Sequence, residues 1–349
     1  MEHLVALAVA VAALAAPTAA TAAPVGDALD RPAVQAAHPE RAVLQAAAQA
    51  GQRIVAVGER GIVLLSDDGA AKWRQVPVPT SVTLTAVRFV DDKHGWAVGH
   101  GGVILASTDG GASWTRQLDG KTAADLMLKA AQASGDPAAV KEAEWLVSAG
   151  ADKPFLDLHF FDARHGIVVG AYNLAFETRD GGQTWNAIAQ RLDNPRGLHL
   201  YAVRTRGDKV LIVGEQGVVR LSTDGGQTFQ KLDTGYPGSF FSAEWLDDKG
   251  MLLAGLRGQL WRSNDLGASW TQVPSPAPAS FTASARGPDQ SLWLSNQAGR
   301  IFAWRDGSLQ ALPGEPLPPI GGMLPLPDKR LLALTLRGAV VVPLNGAPK

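Results

Sequence analysis

Ser107-Thr108-Asp109-Gly110-Gly111-Ala112-Ser113-Trp114 decides how the chain is read, because the same string returns four more times. It recurs in full as Thr178, Asp180, Gly181, Gly182, Thr184 and Trp185, and with Phe229 replacing tryptophan as Ser222, Asp224, Gly225, Gly226 and Thr228. Two looser copies are Ser66, Asp68, Gly69 and Trp73, and Ser263, Asp265, Gly267, Ser269 and Trp270. An aspartate that accepts backbone N–H groups, followed by glycines free to take positive φ, builds a hairpin turn between two short strands. The aromatic residue that follows is a large apolar anchor for packing between sheets. The spacing does not match a calcium loop, so this Asp-box reads as a folding device.

Outward from the box, a glycine precedes the third strand of each unit and gives the period. Gly61 and Gly102 are 41 residues apart, as are Gly217 and Gly258, and Gly258 and Gly299, while Gly338 follows after 39. About four short strands in a period of about 40 residues is the signature of a β-propeller. The interval from Gly102 to the equivalent Asn173 is 71, so one connection carries an insertion. Units anchored at Gly61, Gly102, Asn173, Gly217, Gly258, Gly299 and Gly338 make an all-β, seven-bladed β-propeller. The insertion, residues 120–153 between blades two and three, is rich in Ala, Leu, Lys and Glu with apolar residues at helical spacing. It predicts a helical hairpin over Thr122–Ala133 and Pro137–Ser148, turning at Gly135-Asp136. In a propeller that connection lies on the same face as the loops between second and third strands.

Composition narrows the function. The 349 residues carry 32 Lys and Arg against 33 Asp and Glu, a net charge of −1, so no overall field attracts nucleic acid. Cysteine is absent, which removes disulfides, thiolate metal sites and thiol nucleophiles. Leu4 to Ala16 is an apolar run followed by small residues, and reads as an export signal cleaved near Ala22 or Ala23, although Glu2 and His3 precede it without Lys or Arg. Residues 24–349 are then the propeller, in the periplasm or secreted. No later segment reaches the length of a membrane span, so stable membrane insertion is not expected.

Two longer strings carry a family likeness: LTAVRFVDDKHGWAVGHGGVILASTDGGASW (Leu84 to Trp114) and LLAGLRGQLWRSNDLGASW (Leu252 to Trp270). They resemble the photosystem II stability and assembly factor family of chloroplasts and cyanobacteria, over roughly residues 44–346, and the boxes themselves resemble the bacterial neuraminidase repeat. The first resemblance implies a seven-bladed propeller beyond a membrane that helps a membrane-protein complex assemble. It implies binding of a membrane-protein complex or a transporter. The second implies a carbohydrate-active protein, a lectin or a sialidase-like hydrolase, with a glycan as partner.

The residues favour binding over catalysis. A sialidase needs a Tyr nucleophile with its Glu and an arginine cluster. Tyr172, Tyr201 and Tyr236 are the only tyrosines, and Arg53-Ile54 is followed by Val55 where the sialidase motif has proline. No two histidines have metal-ligand spacing, and no catalytic residue, metal or cofactor is expected. Two columns of the repeat stand out as candidate partner-binding positions. On the innermost strands, Arg88, His159, Arg204 and Glu244 are expected to line the central channel. Before the third-strand glycine stand Arg60, Gln216, Arg257 and Arg337, with His100, Tyr172 and Glu215 adjacent, on the face that bears the insertion. Guanidinium groups with aromatic neighbours suit a protein or anionic-peptide partner. Finally, blade seven has sequence for three strands only, and Arg31–Ala36 is expected to supply the fourth along its outer edge, clasping the two ends of the ring.

Overall fold

The computed structural model describes residues 26–344; the expected export signal lies outside the described residues. Seven antiparallel sheets follow one another along the chain, six of four strands and a last one of three, each a simple meander. Blade one runs through Leu44–Ala50, Arg53–Gly58, Val63–Ser66 and Arg74–Val76; blade two through Leu84–Phe89, Gly95–Gly99, Ile104–Ser107 and Thr115–Leu118. Their first strands pack side by side from blade one to blade seven and back to blade one, which closes the ring around a channel.

The Asp-box works as the sequence implies. Ser107 Oγ donates to Asp109 Oδ1 (2.8 Å) and accepts from the Gly111 N–H (2.9 Å), while Asp109 accepts from the N–H (2.9 Å) and hydroxyl (2.6 Å) of Ser113. Trp114 Nε1 donates to the Gly111 carbonyl (2.9 Å), and its buried ring meets Phe89 edge to face. Asp180, Asp224 and Asp265 repeat the bonds to their own hydroxyl neighbours.

Gly120–Ser134 (α1) and Pro137–Ala149 (α2) form the hairpin. Asp119 caps α1 by accepting from the Thr122 N–H, Gly135 ends it at φ 70°, and Asp136 caps α2 ahead of Pro137. Ala123, Met127, Ala131, Ala143 and Leu146 share one core with Trp96, Phe160 and Trp185 of blades two and three, so the hairpin is built onto the ring. Its start lies against the blade-two loop at Gly102, where an added Cβ would fall 2.5 Å from Gly120, and this puts it on the face of the second-to-third-strand loops.

Ring closure corrects the sequence reading. Arg31–Ala36 does not reach blade seven; it follows the outer edge of blade one. The Ala33 N–H donates to the Val78 carbonyl (3.0 Å), and Gln75 accepts from the Ala36 N–H (3.0 Å) and donates to the Val34 carbonyl (2.8 Å). Leu29 and Ala33 are buried in the core shared by blades one and two, and Arg116 of blade two donates to the Leu29 carbonyl. These apolar anchors and the Gln75 carboxamide outcompete the open edge of blade seven. Closure comes instead from faces: Leu44, Ile54 and Leu64 of blade one pack with Leu326, Leu332 and Leu334 of blade seven. The three strands of blade seven end in Gly338–Pro343, which the Pro39–Arg41 turn meets at Gly338 and where a proline at the far end of the edge strand withholds a donor.

The hydroxyl and backbone N–H of Thr228 hold the Asp224 carboxyl down to about 2. A depressed carboxyl contributes stability above its unfolded value, near 4, and loses it as pH falls through 2. The melting temperature of Asp224→Ala is therefore expected to lie several degrees below wild type from pH 7 to 5. That gap should close between pH 4 and 2, which scanning calorimetry at stepped pH would check.

Candidate functional site

The loop face is assembled from one tight turn per blade. In blade one the chain leaves the second strand at Gly58, turns through Glu59-Arg60-Gly61 and enters the third strand; blades two to five repeat this at His100–Gly102, Ala171–Asn173, Glu215–Gly217 and Leu256–Gly258. The middle residue is left-handed each time: Arg60 (φ 53°), Gly101 (66°), Tyr172 (53°), Gln216 (50°) and Arg257 (55°). Only one of the five is glycine, so the others carry a backbone cost of order 1–3 kcal/mol each. The next blade holds three of them there. The N–H of Tyr172 donates to His199 Nδ1 (3.0 Å), that of Gln216 to Ser239 Oγ (3.3 Å) and that of Arg257 to Ser280 Oγ (3.0 Å).

This turn brings the second predicted column together on one face. Arg60, His100, Tyr172, Gln216, Arg257 and Arg337 are all exposed. Among the described residues no carboxylate lies within 4 Å of Arg60, Arg257 or Arg337, whereas Arg53 is engaged by Asp67 (2.6 Å) and by the box of blade two. Glu215 differs: its carboxylate turns back to accept the His199 N–H (3.2 Å) and braces the start of blade four. Glu59 does the same for Val43 in blade one. The hairpin adds a clamp that the repeat pattern hid. Trp145 of α2 packs on Tyr172 with ring centroids 5.2 Å apart, and the Lys153 ammonium lies 5.2 and 5.5 Å from the two rings.

The first column does line the channel, but its charges are used internally. Arg204 pairs with Asp157 and, at 3.2 Å, with Glu244; Arg88 approaches Asp157 at 3.8 Å; Ser284 donates to Glu244 (2.7 Å). Burial disfavours the Asp157 charge, yet Arg204 and Arg88 hold its carboxyl below the ordinary range. Burial first, then Arg88 and Arg204, push His159 down to about 3, so its imidazole is neutral. This network spans blades two to six, and Ala48, Ala285 and Leu324 add apolar lining to a chamber of about 410 Å³. Asp157 was not among the candidates: it lies two residues before His159, outside the column, and only its partners reveal it.

Two further features went unread. Leu256 and Leu336, each one residue before an arginine of the column, are exposed. Shifting the column by one position would have found them, since Glu59, His100 and Glu215 hold that place in other blades. Among the described residues no three His, Asp or Glu side chains gather as a metal site, and no helix is long and apolar enough to cross a membrane.

Asp157→Ala leaves Arg204 with one partner and Arg88 with none in the channel. Removing one member of a buried pair costs about 3–5 kcal/mol. Urea denaturation is expected to show a loss of that order, with Arg88→Met costing less because Asp157 keeps Arg204.

The family model described as photosynthesis system II assembly factor YCF48 matches residues 65–147 and 137–308, more than half of the chain. The chain is 31% identical to the photosystem II assembly lipoprotein Ycf48 of Synechococcus sp. (strain CC9902) over 155 residues, which are 44% of this chain and 46% of that protein. The namesake from Parasynechococcus marenigrum (strain WH8102) is 32% identical over the same shares. The chain thus spans about half the length of the curated relatives it matches. Among solved structures, YCF48 bound to D1 peptide superposes with a TM-score of 0.63 at 16% identity, covering 87% of this chain and 93% of that one. YCF48 from Cyanidioschyzon merolae gives 0.62 at 16% identity, covering 87% and 96%. The WD40 propeller domain of Doa1 gives 0.62 at 13%, covering 90% and 96%. At these identities the structures speak for the fold.

Proposed function

The chain belongs to the photosynthesis system II assembly factor YCF48 family, and on that premise we propose that it is an exported, non-catalytic assembly factor that holds a membrane-protein client on its loop face. One observation carries the reading. Among the described residues six large apolar side chains are exposed, and five of them, Trp145, Val147, Tyr172, Leu256 and Leu336, sit in the second-to-third-strand loops or on the hairpin that shares their face. Unpaired Arg60, Arg257 and Arg337 are set among them. Exposed apolar groups gathered with free guanidinium groups have the composition of a protein-binding surface.

The relatives support the same reading by name: they are called photosystem II assembly lipoproteins, and one solved YCF48 carries a D1 peptide. Export accords with the apolar run Leu4–Ala16 and with relatives named as lipoproteins. A carbohydrate-active role gains nothing from the geometry, because Arg53 is consumed by Asp67 and the channel carboxylates are consumed by Arg88 and Arg204. We propose no transporter in particular; the client's chemistry is that of a membrane protein with an anionic, partly apolar segment reachable from this face.

The test is a pull-down from detergent-solubilised membranes with the full chain and with Arg257→Glu/Arg337→Glu. Both side chains are exposed and unpaired, so stability should stay within about 0.5 kcal/mol of wild type. Capture of the recovered membrane protein should fall about tenfold or more, as for charge reversal at a complementary surface. Undiminished capture by a double mutant that folds normally would remove the loop face from client binding.

A further inference from the structure

Between the hairpin and blade three lies a cleft of about 700 Å³. Its floor is apolar: Met127 and Ala131 of α1, Ala143 of α2 and Ala189 of blade three, all buried. The blade-three wall is fixed, because Asn194 donates to Asn173 Oδ1 (3.0 Å) and to the Leu198 carbonyl (2.9 Å). Trp145 lines the cleft and also packs on Tyr172, so the cleft opens directly onto the loop face.

One polar group does not fit this lining. Glu142 of α2 is partly buried, burial alone raises its carboxyl above the ordinary range, and no nearby cation offsets it. Among the described residues no side-chain hydrogen bond or ion pair reaches it. Its Oε1 rests against Gly197, where a Cβ would lie only 2.4 Å away. The cations at the rim are directed elsewhere: Arg196 donates to Gln216 (2.5 Å), and Lys141 is exposed. A carboxylate drawn into an apolar recess without a partner is costly unless a charge meets it there. A preformed cleft with an apolar floor and an unmatched, half-buried carboxylate on its wall is the make-up of a binding site whose ligand supplies the match.

We propose that this cleft is a second contact point of the client, taking a lysine or arginine side chain flanked by aliphatic residues, with the cation on Glu142 and the aliphatic neighbours on Met127, Ala131 and Ala143. It rests on the reading of the loop face as a client surface. Charge complementarity selects this occupant. An acidic segment would meet Glu142, Asp136 and Asp193 together, and a wholly apolar one would leave Glu142 desolvated and unpaired. The two contact points then read opposite features of one polypeptide: free arginines on the loop face take its anionic part, and the cleft takes a cationic residue.

The probes are the tripeptides Ac-Leu-Lys-Leu-NH2 and its norleucine counterpart Ac-Leu-Nle-Leu-NH2, titrated into the full chain and followed by NMR. A charge-assisted hydrogen bond predicts that the lysine peptide binds about tenfold more tightly. Glu142→Gln, which keeps the shape, should bring the two peptides to within about twofold and leave the norleucine Kd unchanged, and Ala139→Trp, which fills the cleft, should weaken both. Equal affinities in the wild type, no binding at millimolar peptide, or a lysine preference that survives Glu142→Gln in a protein that melts normally would overturn the site. Failure of the two readings is separable. Capture of the client with no lysine preference sinks the cleft alone, whereas a lysine preference in a chain that captures no membrane protein sustains the cleft's chemistry and sinks the client surface.

Discussion

Gly111, Gly182, Gly226 and Gly267, each two residues after the aspartate of its box, turn the chain at φ between 82° and 89° hard against a side chain of the preceding blade. A Cβ at these positions would lie 3.0 Å from Val55, 1.9 Å from Gln117, 3.0 Å from Ile167 and 2.4 Å from Leu232. Each of these contacts belongs to the preceding blade. The hairpin turn that finishes one sheet is therefore also the surface on which the previous sheet rests, and local turn chemistry sets the spacing between blades. The aspartate holds the turn, the glycine permits the approach, and the aromatic ring fills the gap behind it. Blade one shows the constraint by its exception: Ala70 occupies this place at φ 70° and packs into the core shared with blade seven, where the seam of the ring leaves room for a methyl group.

With the box face given to holding the ring, the loop face is where variation is tolerated. Three of its turns are anchored by a backbone N–H bond to a side chain of the next blade, and across those three the middle residue is Tyr, Gln or Arg without a change of turn. Holding Tyr172 or Arg257 in a left-handed conformation costs stability that glycine would avoid, and at Gly101 the chain does avoid it. The same turn position is left-handed and non-glycine in four blades, so each of these turns presents an Arg, Tyr or Gln side chain at an equivalent place on the loop face.

The blades were legible because the repeat writes each one twice, in the period of its glycines and in its box; Gly102 and Ser107 to Trp114 suffice to place all four strands of blade two. The hairpin was legible because Asp119, Gly135, Asp136 and Pro137 punctuate it. The loop-face column was legible as a position in the repeat, although the inward turn of Glu215 was not, since a carboxylate that braces a backbone N–H and one that faces solvent look alike in sequence. What failed to show were contacts between segments with no shared period. Arg31–Ala36 settles on blade one because Gln75 and Val78 happen to offer its backbone partners, Asp157 joins the channel through residues from other blades, and the cleft exists only where α2 leans over Pro195 and Arg196.

A ring of near-identical turns poses a problem for recognition, because a partner that reads only the repeated positions can dock in several rotated orientations of similar energy. The hairpin breaks that degeneracy. It occurs once, between blades two and three, it shares a continuous core with both, and its Trp145 ties it to Tyr172 in the next turn. A client held by loop-face arginines and also by the cleft has one orientation in which both contacts are made, and two weak contacts joined in one chain reinforce each other through effective concentration. On the proposed reading, a hairpin built onto the propeller through a shared core keeps the second contact in place. A clamp that moved independently would spend the second contact's energy on ordering itself, and it would no longer report which way round the client lies.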